Sequence, residues 1–332
     1  MAKTTGENIN KSSKIFEIKN LSKRYKLMNN KTIDAVSNLT LDIKKGETLA
    51  IVGPNGSGKT TTMKLLLGMI FPTSGEIDIF GAAPGNIEAQ KRIGYLPEAP
   101  YFYEFLNGRE LLNYYGKLCM VPENILQPRI NDLLKMVDLY ERGADMPIRT
   151  YSRGMRQRIG IASAMVNDPE LLILDEPTNG LDPLGTVEVR EFIMAQKKLG
   201  RTILLCSHML SEVEAVADRV AILYRGELIA LGPVSELIPK SKRWEITAAN
   251  MGQEAETDFR NSGYEVKLSG NVLSIQISID DDVYRVIEKI EKAGGKLVEI
   301  TQSKSTLEEQ FLRAISNEKA QIEENNEDRK NK

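Results

Sequence analysis

The sequence predicts an α/β protein in two parts, a large domain on a mostly parallel sheet followed by a small α+β unit. Three observations predict it. Between residues 47 and 224, short apolar runs alternate with stretches of helical spacing, the pattern of parallel strands covered by helices on both faces. One of those runs, Glu47 to Val52, opens directly into a glycine-rich turn and then a helix, the setting of a phosphate-binding loop. After Gly232 the order becomes strand, helix, strand, strand, helix, strand, which suggests a small ferredoxin-like unit. A chain of 332 residues has room for both.

The elements follow in order. Residues 1–13 are polar and read as a flexible leader, and the large domain is expected over 14–232. Ile15 to Ile18 and Ala35 to Ile43 alternate as strands do, with β-branched residues. Thr60 to Met69 reads as a helix and Gly75 to Phe80 as a strand. From Gln90 to Tyr140 the texture is helical, with Leu106, Leu111, Leu112 and Tyr115 and then Ile130, Leu133, Leu134 and Val137 at helical spacing. A helical subdomain is therefore expected at about 99–165. The core resumes with a helix near Arg153 to Asn167 and a buried strand at Leu171 to Leu174, then a helix at Gly185 to Lys198 and a strand at Thr202 to Cys206. A helix at Leu210 to Ala217 and a strand at Arg219 to Tyr224 complete it.

Residues 233–243 read as a short helix and linker to an accessory domain at 244–315. Its strands are expected at 244–248, 264–268, 272–278 and 296–301, and its helices at 254–262 and 281–293. Val283, Val286, Ile287 and Ile290 form an apolar stripe on the second helix. A last amphipathic helix carries Leu307, Phe311, Leu312 and Ile315, and the charged tail 316–332 is expected to be disordered.

Bulk properties narrow the function. Basic and acidic residues nearly cancel, 44 against 46, so charge gives no reason to expect a nucleic-acid partner. Cys119 and Cys206 are far apart, without metal-ligand spacing, and suit a reducing compartment. No apolar run approaches the roughly 18 residues that span a bilayer, and the first residues lack an apolar signal core. The expectation is a cytosolic protein, or one held at a membrane by a partner.

Two motifs carry chemistry. Gly53-Pro-Asn55-Gly56-Ser57-Gly58-Lys59-Thr60, with Thr61 after it, fits G-x-x-x-x-G-K-[ST]. Glycines let the backbone N–H groups wrap phosphate oxygens, and the following helix adds its positive N-terminal end. Lys59 would reach the β- and γ-phosphates, and Thr60 would put a hydroxyl on Mg²⁺. The second motif is Leu171-Leu-Ile-Leu-Asp175-Glu176, four apolar residues and two carboxylates where a buried strand opens into a site. Asp175 would hold Mg²⁺ through water and Glu176 would polarise the attacking water.

With Tyr151-Ser152-Arg153-Gly154-Met155-Arg156-Gln157-Arg158 shortly before that strand, the chain resembles the ABC (ATP-binding cassette) ATPase family over about residues 14–232. The resemblance implies a phosphate-loop ATPase core with an antiparallel β subdomain and a helical insert, ATP and Mg²⁺ as ligands, and a second cassette as partner. It implies that Ser152 and Gly154 cap the γ-phosphate of the other cassette, that Gly180-Leu181-Asp182 crosses the dimer interface, that His208 contacts the γ-phosphate and that Tyr25 stacks on adenine. Asp182 also reads as a plain helix N-cap before Pro183, and Tyr25 as an aromatic at a strand end. Two positions depart from the pattern: Arg153 and Met155 stand where the best-known signature has glycine and glutamine. In Ile93-Gly-Tyr-Leu-Pro-Glu98 the family usually has glutamine at Glu98, next to Mg²⁺, where a carboxylate can also bind the metal.

These variants, the C-terminal appendage and Ser305 to Leu312 resemble the nucleotide-binding subunits of bacterial ABC-2-type exporters. Those subunits imply a separate integral membrane permease, reached through the helical insert, at the cytoplasmic face of the membrane. The alternative is a soluble ABC ATPase that remodels a cytosolic partner, and a third reading is a scaffold that binds ATP without turnover.

Overall fold

The computed structural model describes residues 14–27, 31–141, 143–238, 243–278, 281, 283–302, 306–312 and 314–316. The leader, the charged tail beyond 316, part of the linker and Ser305 lie outside them. The chain divides into two compact units, one of Met1–Val234 with Phe311–Lys332 and one of Ser235–Gln310.

The first unit holds two sheets. Strands β1 (Lys14–Lys26), β2 (Thr32–Lys44) and β4 (Ser74–Ile79) form an antiparallel sheet in the order β2-β1-β4. The larger sheet has β3 (Thr48–Val52), β5 (Ile93–Leu96), β6 (Leu171–Asp175), β7 (Thr202–Ser207), β8 (Arg219–Tyr224) and β9 (Glu227–Pro233) in the order β5-β6-β7-β3-β8-β9. Every residue of β3, β6 and β7 is buried, which explains why they read as unbroken apolar runs. Helices α1 (Lys59–Leu66), α2 (Ile87–Gln90), α6 (Pro183–Lys198) and α7 (Leu210–Val216) belong to this core.

Two strands depart from the sequence expectation. Ile93–Leu96 is not part of the helical stretch but pairs parallel with β6 as an edge of the large sheet. Gly94 permits this, because a Cβ there would collide with the Ala164 carbonyl. No strand was expected between Tyr224 and the linker, yet β9 folds back antiparallel on β8. Arg225 at φ 50° and Gly226 at φ 86° make the two-residue turn between them, the mirror-image geometry that matches strand twist. Pro233 closes the strand at the sheet edge, where no ladder donor is needed.

The helical part comprises α3 (Gly108–Leu118), α4 (Glu123–Met136) and α5 (Arg153–Ala164). Asn107 and Glu110 start α3 with a reciprocal capping box. Leu111, Leu112, Leu126, Ile130 and Leu134 are fully buried, while Tyr101, Phe105, Leu118 and Met120 stay exposed.

Past the short α8 (Val234–Leu237), the second unit runs β10 (Arg243–Ala249), α9 (Gln253–Asn261), β11 (Glu265–Ser269), β12 (Val272–Ser278), α10 (Val283–Lys292) and β13 (Lys296–Gln302). This is the βαββαβ order of the sequence pattern. Its antiparallel sheet has the order β11-β12-β10-β13, so α9 joins two strands separated by a third. Ile246, Leu273, Ile275, Phe259, Val286 and Ile290 pack one core. Residues 307–312 and 314–316 are helical.

Candidate active site

β5, β6, β7 and β3 are parallel neighbours, so their carboxyl ends open on one edge of the sheet. Open α/β sheets bind ligands at that edge. Each strand delivers one piece there. β3 runs into the loop from Gly53, β6 ends in Asp175 before Glu176, β7 ends before His208, and Glu98 follows β5 by two residues. A cleft of about 680 Å³ collects Asn55, Gly56, Ser57, Gly58, Lys59, Thr60 and Thr61 with Glu98, Glu176 and His208.

The loop geometry follows from its glycines. Gly58 lies at φ 106° against the Ala35 carbonyl, a conformation and a spacing that exclude a side chain. α1 then starts with no side-chain cap, leaving the N–H groups and positive end of its first turn to an anion. Gly53 meets Ser57 and the Leu223 carbonyl so closely that a Cβ would clash. Lys59 is only 7% exposed; its ammonium donates to the Gly53 carbonyl at 2.7 Å and lies 3.9 Å from Glu176 Oε1.

Glu176 sits at φ 50°, and its backbone N–H donates to the Cys206 carbonyl at 2.8 Å. Its carboxylate Oε2 accepts from the His208 backbone N–H at 3.2 Å and faces His208 Nδ1 at 2.7 Å. An ionised carboxylate has no proton to give, so Nδ1 carries the hydrogen. That leaves Nε2 facing outward on a ring about half exposed. A buried carboxylate held on one oxygen and lining a cleft can polarise a water molecule placed there.

Asp175 lies behind this group, 2% exposed. Burial first, then the charges of Glu176 and Glu98, push its pKa up to about 6, with Lys59 and Lys64 opposing. Asp175 Oδ1 and Ser57 Oγ are buried and have no hydrogen-bond partner among the described residues. An orphaned carboxylate oxygen suits a hard divalent cation and its water, so Asp175 fits as a residue that would hold Mg²⁺, with Thr60 and Glu98 lining the adjoining cleft. The metal, when bound, supplies charge neutralisation on phosphate oxygens. No three His, Cys, Asp or Glu side chains among the described residues are grouped to hold an ion.

Tyr25 stands at the rim rather than in the wall. It is 37% exposed and lies opposite Ile33 on the β1–β2 ladder, and Ile33 lines the cleft. Opposed ladder residues share a sheet face. The Lys23 ammonium lies 5.2 Å from the centroid of its ring.

Ser152, Gly154 and Asp182 do not enter this cleft; they line a separate groove of about 770 Å³. Ser152 caps α5, its hydroxyl accepting from the Met155 N–H at 3.2 Å, and the hydroxyl proton stays available to an outside acceptor. A Cβ on Gly154 would meet nothing, so the backbone there is open to approach. Asp182 caps α6 through Oδ1, which accepts from the Gly185 N–H at 2.8 Å ahead of Pro183. The cap reading of Asp182 is thus geometrically present. Gln157 and Asn179 were not singled out by the sequence. Gln157 donates to the Pro177 carbonyl at 2.6 Å and Asn179 Nδ2 donates to Glu98 at 3.2 Å; no motif spacing marks contacts between such distant segments.

The ABC transporter family model matches residues 36–179, and an uncharacterised ABC transporter ATP-binding protein of Nostoc sp. is 38% identical over 304 residues, 90% of this chain and 88% of that one. The chain belongs to the ABC transporter family. The bacitracin transport ATP-binding protein BcrA of Bacillus licheniformis is 35% identical over 288 residues, 85% of this chain and 92% of that protein. Among solved structures, a dimeric ATP-binding cassette in a post-hydrolysis state with ADP and Pi superposes with a TM-score of 0.61 at 26% identity, covering 66% of this chain and 98% of that one. The large unit is therefore an ATP-binding cassette of the transporter type, and ATP hydrolysis is the chemistry of that family. The family model spans the phosphate loop, Glu98, the Ser152 segment and Glu176, but neither Tyr25 nor His208.

Proposed function

We propose that this chain is the ATP-hydrolysing subunit of an ABC-2-type exporter, working as a pair of cassettes on a separate membrane permease at the cytoplasmic face. Glu176 is the group that polarises water, steadied by His208, while Lys59 and the loop from Gly53 to Thr61 hold the phosphates. Thr60, Asp175 and Glu98 hold Mg²⁺, and Tyr25 stacks on the base. Ser152 and Gly154, with Asp182 beside them, complete the site of the second cassette. The observation that carries this reading is Glu176, buried beside Lys59 and fixed by two bonds from His208 at the cleft mouth.

The permease assignment has separate support. No helix of the described residues is long and apolar enough to cross a membrane. The helical part exposes Tyr101 at 85% and Phe105 at 74%, with Tyr103 packed against both Phe105 and Tyr114. Exposed aromatic side chains gathered on one surface suit contact with a partner protein. BcrA, a relative over most of both chains, carries transport in its name. Gentle purification from solubilised native membranes should bring down a multi-span membrane protein in stoichiometric amount. A chain found only in soluble complexes would replace the exporter with an ATPase that remodels a cytosolic partner, leaving the ATP site as it is.

A further inference from the structure

Arg153 and Glu98 are the two charged departures from the family pattern, one on the signature segment and one beside the metal-side carboxylates. They lie far apart in sequence, yet both bind Asn179. The Arg153 guanidinium Nη2 donates to the Asn179 backbone carbonyl at 2.9 Å. The Asn179 side-chain amide donates to Glu98 Oε1 at 3.2 Å. A third bond closes the turn after β6, since the Asn179 backbone N–H donates to the Glu176 backbone carbonyl at 3.0 Å.

The surroundings are built for this arrangement. Gly180, at φ 68°, lies under the Arg153 guanidinium, and a Cβ there would overlap it. One turn further along α5, Gln157 holds the Pro177 carbonyl at 2.6 Å. Residues 153 and 157 share a helix face, so α5 grips alternate carbonyls of the segment that follows Glu176. Arg153 also lines the groove that contains Ser152 and Gly154, whereas Asn179 and Glu98 line the phosphate cleft. Asn179 is therefore the residue through which the wall of one site touches the surface assigned to the other.

We propose that Asn179 is a positioning residue that couples Glu98 to the signature segment through Arg153. It rests on the two-cassette reading above. A metal or γ-phosphate that draws Glu98 toward itself pulls on the Asn179 amide; the Asn179 carbonyl and Arg153 carry that displacement to Ser152 and Gly154. The extra charges at 98 and 153 then form a matched pair, negative at the metal side and positive at the partner side, bridged by one neutral amide.

The test uses the full chain. Asn179→Ala removes the bond to Glu98 but keeps the carbonyl for Arg153, and Glu98→Gln keeps an oxygen that can accept from Asn179 whereas Glu98→Ala does not. Steady-state ATPase rates, equilibrium binding of a fluorescent ATP analogue and ATP-driven dimer formation are measured on each. Asn179→Ala should lower kcat at least about tenfold, the effect of one hydrogen bond to a charged group, with analogue affinity held within twofold. Combined with Glu98→Ala it should add nothing further, because both variants cut the same link. Glu98→Gln should keep the response to Asn179→Ala that Glu98→Ala abolishes. Arg153→Lys should recover part of what Arg153→Ala loses. Additive losses in the Asn179→Ala and Glu98→Ala pair, or an Asn179→Ala enzyme with native turnover and dimerisation, would overturn the coupling while leaving the cassette reading intact. A wild-type chain that hydrolyses ATP without dimerising would overturn both.

Discussion

The two surfaces assigned to nucleotide differ in how they are finished. In the phosphate cleft the charged groups are buried and answer one another: Lys59 and Glu176 are each 7% exposed, and His208 fixes Glu176. Along the groove with Ser152, Gly154 and Asp182, those three stand at the surface, and the two side chains satisfy the first turns of their own helices. The first surface is preorganised, so its electrostatics act at full strength in a desolvated place. The second is a groove between α5 and α6 in which the backbone at Gly154 is open to approach.

That contrast breaks most visibly at Glu176. Glu176→Gln keeps shape and hydrogen-bond capacity but loses the charge, and turnover should fall at least about 100-fold while an ATP-bound dimer accumulates on size-exclusion chromatography. Fast hydrolysis in this variant would move the water-polarising role elsewhere. Lys59→Ala should come next, weakening ATP binding about 10- to 100-fold, the range for a charge-assisted bond; calorimetry showing native affinity would take Lys59 out of the site.

Asp175 sharpens the comparison by its cost. Its pKa is raised from 3.8 to about 6 by burial, Glu176 and Glu98. The folded state thus holds a proton that the unfolded chain releases near pH 4. The penalty for ionising it is absent below that point, grows between about pH 4 and pH 6, and stays above it. Asp175→Asn should raise the melting temperature in EDTA by about 2–4 °C at pH 7.5 and by almost nothing at pH 4.5, while Mg²⁺-dependent turnover is lost. An equal gain at both pH values would mean that ionisation is not the source. The smallest effect belongs to the open side: Asp182→Ala should cost about 1 kcal/mol of stability through the lost cap, read as a shift in the urea midpoint. A variant with native stability but impaired dimerisation would make Asp182 an interface residue first and a cap second.

Much of the cassette was legible because its signals are local. A glycine pattern demands its backbone, and short apolar runs bounded by turn signals read as strands covered on both faces. The helix stripe at Val283, Val286 and Ile290 was equally readable, because periodicity reports the buried side of an element directly. The edge strands were not. Ile93–Leu96 is four residues long and sits next to helical spacing, and Glu227–Pro233 ends in Gly-Pro, so only their pairing with β6 and β8 makes them strands. Arg225-Gly226 was the one local hint for the second.

By itself the sequence determined the order of the chemical groups: phosphate loop, Glu98, signature, Asp175 and Glu176, His208. Tertiary structure alone decided who meets whom. His208 reaches Glu176 because β6 and β7 are parallel neighbours with Asp175 opposite Cys206, and Asn179 joins Glu98 to Arg153 because α5 packs across the loop that leaves β6. Side-chain type and spacing are written along the chain. A hydrogen bond between distant segments depends on strand order and register, which no local pattern encodes.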